Sequence, residues 1–378
     1  VDYEPGMLRR TPDVEGPGLT ASDSADALLL DEAAPWLADA ADGGLAVIDD
    51  GYGALTLGAA AAGARGIRSH TDTITSERAV ASNAGRVGLD DAFAAAPLGP
   101  ETFAGARLVL LRLPRALDRL DEVAELAARH ADPEAVIVAG GRLKHMTLGM
   151  NDVLRRHFDR LDVSLARGKS RVLIARSPKP DARAVAPTWP KHARVDEVGL
   201  TLVAHGGVFA GASLDLGTRE LLRVLDGAFA GADAPTRLID LACGNGVIGA
   251  WAAARRPALE VVASDRSAAA AASATLTAAA NGLDDRVGAV QSDGLEHLPD
   301  SSERLVVLNP PFHAGAAITE GIAESLFADA ARVLAPGGEL WTVWNSHLRY
   351  RGRLERIVGP TRQIARTPKF TITASTRR

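Results

Sequence analysis

Short apolar runs alternate with longer segments of helical period along nearly the whole chain, the pattern of parallel strands buried on both faces and covered by helices. A Pro-, Gly- and Asp-rich stretch over 1–23 reads as a mobile lead-in. Beyond it the pattern predicts helix Ser24–Ala38, strand Leu45–Ile48, helix Ala54–Ala62, strand Ile67–Ser69, helix Ser76–Val87, strand Arg107–Leu113 and helix Asp118–Ala131. Strand Ala135–Ala139 follows, ending before Gly140-Gly141, then a helix around Asn151–Phe158 and closing strands Asp162–Ala166 and Arg171–Ala175. Four prolines within Ser177–Pro190 mark a linker. A hairpin at Leu200–Phe209 and a helix Thr218–Phe229 capped by Thr218 come next.

The alternation then restarts. Strand Arg237–Leu241, helix Val247–Arg255, strand Glu260–Ala263, Ala-rich helix Ala268–Ala280, strand Gly288–Gln291 and strand Leu305–Leu308 are followed by helix Ile322–Leu334, a turn at Pro336-Gly337-Gly338 and strand Glu339–Trp344. Leu348–Val358, Gln363–Ala365 and Lys369–Ala374 complete it. A length of 378 residues suits two or three domains. The expected division is a lead-in over 1–23, a first domain over 24–176, a linker over 177–196 and a second domain over 197–378. Each domain is a mostly parallel, seven-stranded Rossmann-like sheet with an antiparallel end.

The two rounds resemble each other, which predicts a duplication. Asp49 precedes Asp240 by 191 residues, Gly53 precedes Gly246 by 193, Asp72 precedes Asp265 by 193, and Gly88-Leu89-Asp90-Asp91 precedes Gly282-Leu283-Asp284-Asp285 by 194. In this alignment the glycine turn of the first round is two residues shorter.

Candidate chemistry gathers at two strand ends. After Leu305–Leu308 come Asn309-Pro310-Pro311-Phe312-His313. Two prolines fix φ and push the preceding residue out of the helical region, so the Asn309 side chain and the Pro310 carbonyl are held in place. Two acceptors and a following ring suit a planar exocyclic amine, although a tight loop after a strand shows the same pattern. The second is Asp240-Leu241-Ala242-Cys243-Gly244-Asn245-Gly246, whose glycines allow close backbone approach at the C-terminal sheet edge. Asp265, at the end of the next strand, stands where a carboxylate takes ribose hydroxyls. Gly244, Gly246 and Gly249 keep the Gly-x-Gly-x-x-Gly spacing of a dinucleotide fingerprint, so a dinucleotide stays open on the glycines alone, but no phosphate-binding Lys-Ser or Lys-Thr follows. The acids therefore favour a cationic, phosphate-free nucleoside such as S-adenosylmethionine, with Arg266, Ser292 and Asp293 beside it. Asp293 is also an ordinary turn residue.

The Gly207-Val208-Phe209 and Leu214-Asp215-x-Gly217-Thr218 segments, the glycine turn, Asn309–His313, Trp344-Asn345-Ser346-His347-Leu348 and Lys369-Phe370 make the chain similar to class I S-adenosylmethionine-dependent methyltransferases. It resembles more narrowly the bacterial ribosomal RNA guanine-N2 methyltransferases with two tandem methyltransferase-like domains. Asp50-Gly51-Tyr52-Gly53-Ala54-Leu55 and Lys169-Ser170-Arg171 lean toward the large-subunit enzyme. The resemblance covers nearly the whole chain from Ala25. It implies a first domain that has lost catalysis and helps hold RNA, and a second that binds the cofactor and reacts, with Asn309, Pro310, Pro311 and Phe312 as catalytic residues. In the first round Arg112 and Arg115 replace the amide and the ring, so no amine can be held there, and the two guanidiniums are expected to meet phosphate. Lys169, Arg171, Lys369 and His313 are further substrate contacts, His313 less as a base than as a loop residue.

The net charge of −5 conceals two basic stretches, Arg167–Arg194 and Arg351–Arg378, each with eight Lys or Arg against one acid. They suggest a side that faces a polyanion, although a solvated surface has the same composition. A lone cysteine, Cys243, excludes a disulfide framework. With no basic-then-apolar leader in Val1–Thr20, no membrane-length apolar run and no metal-ligand cluster, a cytoplasmic monomer acting on ribosomal RNA or a ribosomal subunit is expected. Two other readings stay open: methylation of adenine N6 or a protein glutamine, which the same tetrad fits, and a non-catalytic RNA-binding assembly factor.

Overall fold

A computed structural model describes residues 3–16, 18–230, 234–311 and 316–378, for 316–320 the backbone alone. The chain divides into two compact units, the first ending at Trp189 and the second beginning at Pro190. In the first, strands β1 (Leu45–Ile48), β2 (Ile67–His70), β3 (Phe93–Ala95), β4 (Leu108–Arg112), β5 (Val136–Arg142), β6 (Phe158–Val163) and β7 (Ser170–Pro178) form one sheet. Their order is 3-2-1-4-5-7-6, and β7 alone runs against its neighbours. Helices α1 (Ser24–Leu37), α2 (Ala54–Ala61), α3 (Ile74–Val87), α4 (Pro100–Phe103), α5 (Leu117–His130) and α6 (Leu148–His157) intervene. The second unit opens with a hairpin of β8 (Lys191–Val195) and β9 (Leu200–Ala204), then α7 (Leu216–Leu222). Its sheet holds β10 (Arg237–Leu241), β11 (Glu260–Asp265), β12 (Val287–Gln291), β13 (Glu303–Leu308), β14 (Leu334–Asn345), β15 (Thr361–Arg366) and β16 (Phe370–Thr376). The helices are α8 (Val247–Arg255), α9 (Ala268–Ala280), α10 (Ala316–Val333) and α11 (Arg351–Ile357). Counted from its own first strand this sheet has the same order, with β16 reversed.

The central strands are apolar because helices cover both faces: every residue of β1 is fully buried, as are Val306, Val307 and Leu308 of β13. In each sheet the two faces build separate cores. The Ala-rich α9, capped by the Ser267 hydroxyl accepting from the Ala270 N–H, lies against the glycine turn. A Cβ on Gly246 would stand 2.7 Å from Ala274 Cα. Small side chains on α9 and a glycine opposite are what permit this contact. No helix among the described residues is long and apolar enough to cross a membrane.

Several expectations change. The lead-in is docked, not loose: Leu8 is buried, Arg9 and Asn83 exchange two hydrogen bonds of 3.0 and 2.8 Å, and the Tyr52 hydroxyl donates to Asp13 at 2.7 Å. The proline-rich stretch up to Trp189 packs on α5, with the Thr188 N–H donating to Glu125 and the Trp189 indole to Asp121. Lys191–Val195, read as linker, pairs with β9, because that strand needs a partner for its backbone groups. Strand β5 runs through Gly140-Gly141. The glycines serve packing rather than a turn, since a Cβ at 140 would sit 2.6 Å from Leu29 Cγ. Strand β14 likewise passes through Pro336-Gly337-Gly338, where the register against β13 shifts. Helix α10 starts at Ala316, ahead of the expected Ile322, and α7 is short and capped by Asp215 rather than Thr218. The edge strand β3 and the single turn α4 are too brief to leave a periodic signal.

Candidate active site of the second unit

The C-terminal ends of β10, β11 and β13 bring the glycine turn, Asp265 and Asn309 to one sheet edge. Gly244 and Gly246 both adopt left-handed conformations, with φ of 55° and 74°. They differ in purpose. A Cβ on Gly244 would meet nothing within 4 Å, which leaves its backbone open to a ligand, whereas Gly246 is required by α9. The Gly244 N–H and the Ser267 N–H each donate at 3.0 Å to one oxygen of Asp265, so the turn and the start of α9 orient that carboxylate. Arg266 is half-buried and its carbonyl accepts from Gln291 at 3.2 Å. Ser292 is buried with its hydroxyl 3.0 Å from His297 Nδ1, and Asp293 beside it is exposed.

Two residues expected at the cofactor lie behind the turn. Asp240 is fully buried and accepts the Gly249 N–H at 2.9 Å, while its Oδ1 has no partner among the described residues. Burial, with Asp265 adding to it, pushes its carboxyl up to about 8 despite that hydrogen bond. Asn245 spends its side chain on the protein. Its amide nitrogen donates to the Gly211 and Ser213 carbonyls at 2.8 and 3.0 Å, and its oxygen accepts from the Val247 N–H at 3.2 Å. It staples the loop before α7 to the turn. Burial, then Asp265 and Asp240, push the Cys243 thiol up, so it stays protonated and inert.

Asn309 follows the last paired residue of β13, between buried Leu308 and buried Pro310, with Pro311 exposed. Its amide nitrogen donates to Asp215 Oδ2 at 3.2 Å and to Thr218 Oγ1 at 2.9 Å. A carboxylate only accepts, so Asp215 identifies the nitrogen end of the amide. The other end, Oδ1, is buried and without a partner among the described residues. Sequence reasoning missed this role for Asp215 and Thr218; the available signal was the Asp-x-x-Thr cap preceding a short helix. Phe312 and His313 lie outside the described residues.

The sheet ladders locate the counterparts in the first unit. Ile48 pairs with Leu111 as Leu241 pairs with Leu308, which makes Arg112 the counterpart of Asn309. By the same ladders Val47, not Asp49, stands where Asp240 does. Asp49 corresponds to Ala242, both with left-handed backbones (φ 60° and 56°), and the two turns are equal in length. Arg112 is engaged within the first unit: it donates to Asp23 at 2.8 and 3.0 Å and to Asp26 at 2.7 Å. Arg115 is exposed, 3.3 Å from His145 Nε2. Some burial, then Arg115, Lys144, Arg112 and Arg142, hold the His145 imidazole below its usual pKa. The Lys169 carbonyl accepts the Leu143 N–H, which brings exposed Lys169 to the same edge; Arg171 is half-buried on β7. In the second unit Lys369 is exposed, 5.3 Å from the Phe370 ring centre.

The 3-2-1-4-5-7-6 sheet, the open glycine turn and the carboxylate ending the next strand are those of an α/β methyltransferase domain. Residues 199–374 match the methyltransferase small domain family, and residues 2–179 the RLMG N-terminal domain. The chain is 33% identical to the ribosomal RNA large subunit methyltransferase G of Streptomyces avermitilis, over 97% of this chain and 95% of that one. It is 35% identical to the same-named protein of Pseudomonas aeruginosa, over 97% and 96%. The chain belongs to the ribosomal RNA large subunit methyltransferase G family. A solved structure, the T. thermophilus 16S rRNA N2 G1207 methyltransferase in complex with AdoMet and guanosine, shares the fold with a TM-score of 0.74 at 23% identity, covering 97% of both chains.

Proposed function

We propose that this protein transfers a methyl group from S-adenosylmethionine to the exocyclic N2 of a guanine in ribosomal RNA, that of the large subunit. The observation that carries the reading is the Asn309 amide, nitrogen turned inward to Asp215 and Thr218, oxygen buried and unpaired beside Pro310. The name shared by the relatives supports ribosomal RNA of the large subunit, and the N2 specificity of the T. thermophilus methyltransferase supports N2 as the acceptor.

The cofactor supplies an electrophilic methyl group on a sulfonium. Asp265 holds the ribose hydroxyls, Gly244 lets the backbone approach, and Ser292 and Asp293 face the adenine amine, with Arg266 alongside. Asp240 and Asn245 support the turn from behind. A guanine swung out of the RNA stacks on Phe312 and donates its amino hydrogens to Asn309 Oδ1 and the Pro310 carbonyl, while Pro311 stiffens the loop and His313 contacts the substrate. These acceptors aim the nitrogen lone pair at the methyl carbon, and proximity supplies much of the acceleration. Asn309 Oδ1 and the Pro310 carbonyl would hold the amine more strongly as positive charge grows on its nitrogen during methyl transfer, and its proton would pass to water.

The first unit is a degenerate duplicate that holds RNA. In the first unit Arg115, Lys144, His145 and Lys169 converge at one sheet edge as phosphate contacts, with Arg171 adding charge; Lys369 is a separate substrate contact of the second unit. Arg112 is not part of that set. The protein acts in the cytoplasm as a monomer. The test is nucleoside mass spectrometry of ribosomal RNA from cells lacking the protein, before and after treatment with the purified enzyme and S-adenosylmethionine. N2-methylguanosine restored in 23S RNA is the expected result. Methyl transfer to adenine N6 or a protein glutamine, or none at all, overturns it.

A further inference from the structure

We infer that Asp215 and Thr218 are positioning residues for methyl transfer, which fix the Asn309 amide so that its oxygen and not its nitrogen faces the reacting amine. The inference rests on the reading that Asn309 holds the target amino group. An asparagine amide is nearly symmetric in shape but not in chemistry: rotated by half a turn it would present two N–H donors to an amine that must itself donate. Among the described residues no backbone group bonds the Asn309 side chain and so selects between the two orientations. Asp215 does, because a carboxylate oxygen repels the amide oxygen and accepts from the amide nitrogen, here at 3.2 Å. Thr218 Oγ1 takes the second N–H at 2.9 Å.

The two acceptors are themselves held. Asp215 is the N-cap of α7 and its Oδ2 also accepts the Thr218 N–H at 2.9 Å, so helix start and amide clamp are one structure. Thr218 is buried. Gly217 lies between them, where a Cβ would stand 3.1 Å from Asp215 Oδ2 and 3.2 Å from the Phe370 ring. A second observation comes from the first unit. There the cap of α1 is Asp23, and the residue three positions on is Asp26, the same two helix positions as Asp215 and Thr218. These two hold Arg112, the counterpart of Asn309. The pair at the helix start matches whatever donor ends the fourth strand: a carboxylate and a hydroxyl for a neutral amide, two carboxylates for a guanidinium.

The test uses the full-length enzyme, labelled S-adenosylmethionine and ribosomal RNA lacking the modification, in single-turnover assays that count methyl incorporation whatever base receives it. Asp215→Asn keeps a good helix cap but lets the Asn309 amide flip, and it should slow transfer about 100-fold, the scale of a misplaced reacting group. Its S-adenosylmethionine affinity, by calorimetry, should stay within about threefold and its melting temperature close to that of the parent. Thr218→Val should slow transfer about tenfold, and Thr218→Ser should recover most of that loss, as expected for one neutral hydrogen bond. Asn309→Asp alone sets two carboxylates together and should be nearly inactive. Combined with Asp215→Asn it regains an N–H partner and a free acceptor, and should recover at least about tenfold over Asn309→Asp. Transfer by Asp215→Asn within about twofold of the parent, or no recovery in the double variant, overturns the inference. Nucleoside analysis of the same reactions separates the two failures: a methyl group on a group other than guanine N2 refutes the substrate reading while leaving the kinetic comparison intact.

Discussion

At the end of the fourth strand of each sheet a polar side chain is gripped by the start of the helix that precedes the first strand, and the two grips differ in what they leave over. In the second unit Asp215 and Thr218 take the nitrogen of Asn309 and leave an unpaired acceptor. In the first, Asp23 and Asp26 take Arg112 through three hydrogen bonds, and a guanidinium has no acceptor to offer. Against the burial that would raise it, Arg112 holds the Asp23 carboxyl below its usual range, while burial dominates at Asp26 and lifts it to about 6. On the proposed reading, the same scaffold position makes a reaction site from a neutral amide and a structural ion pair from an arginine. The first unit then lacks catalysis because its polar groups are saturated, not because the fold is lost.

The largest expected effect separates the two positions directly. Asn309→Ala should reduce methyl transfer about 100- to 1000-fold, as loss of one transition-state hydrogen-bonding group does, with S-adenosylmethionine affinity by calorimetry within a few fold. Arg112→Asn should instead leave methyl transfer chemistry intact and destabilise the first unit by about 2–3 kcal/mol, because Asp23 and Asp26 lose their counter-charge while partly buried; urea unfolding measures it. Adding Asp26→Thr, which copies the second unit's grip, should recover most of that stability and still create no second methylation site. Gly246→Ala should cost about 2 kcal/mol, because its Cβ would press on α9 backbone. Gly53→Ala should cost nearer 1 kcal/mol, the left-handed backbone term, since the Leu57 side chain it meets can move.

The smallest effect is the pH dependence that Asp240 adds to the second unit, where it occupies the position held by Val47 in the first. Its folded pKa of about 8 lies above the usual carboxylate value, so the native state binds a proton that the unfolded chain has released. The contribution is therefore most favourable in acid and is lost as pH rises through about 8. Comparing urea midpoints of the parent and Asp240→Asn at pH 5, 7 and 9, the balance should move in favour of the Asn variant as pH increases. A pH-independent difference would mean that Asp240 ionises normally in the fold.

Strands β10 and β13, helices α8 and α9 and the glycine turn could be read from the chain because burial alternation and backbone restriction are local. Gly140-Gly141 and Pro336-Gly337-Gly338 misled for the complementary reason. Their turn-like composition answers to Leu29 on α1 and to a shift in the β13 ladder, neither of which is local. The lead-in and the stretch before Trp189 carry loop composition, yet Asn83, Tyr52, Glu125 and Asp121 hold them down.

By itself the sequence determined the two α/β rounds, the open Gly244 and the rigid Asn-Pro-Pro loop, since φ limits and apolar periodicity act within a few residues. Tertiary structure alone decided which way the Asn309 amide points and that Arg112 is captured. Asn309 meets Asp215 and Thr218 across 94 and 91 residues, and Arg112 meets Asp23 and Asp26 across 89 and 86. A buried polar group takes its function from the partner that satisfies it, and that partner is chosen by the packing of distant elements.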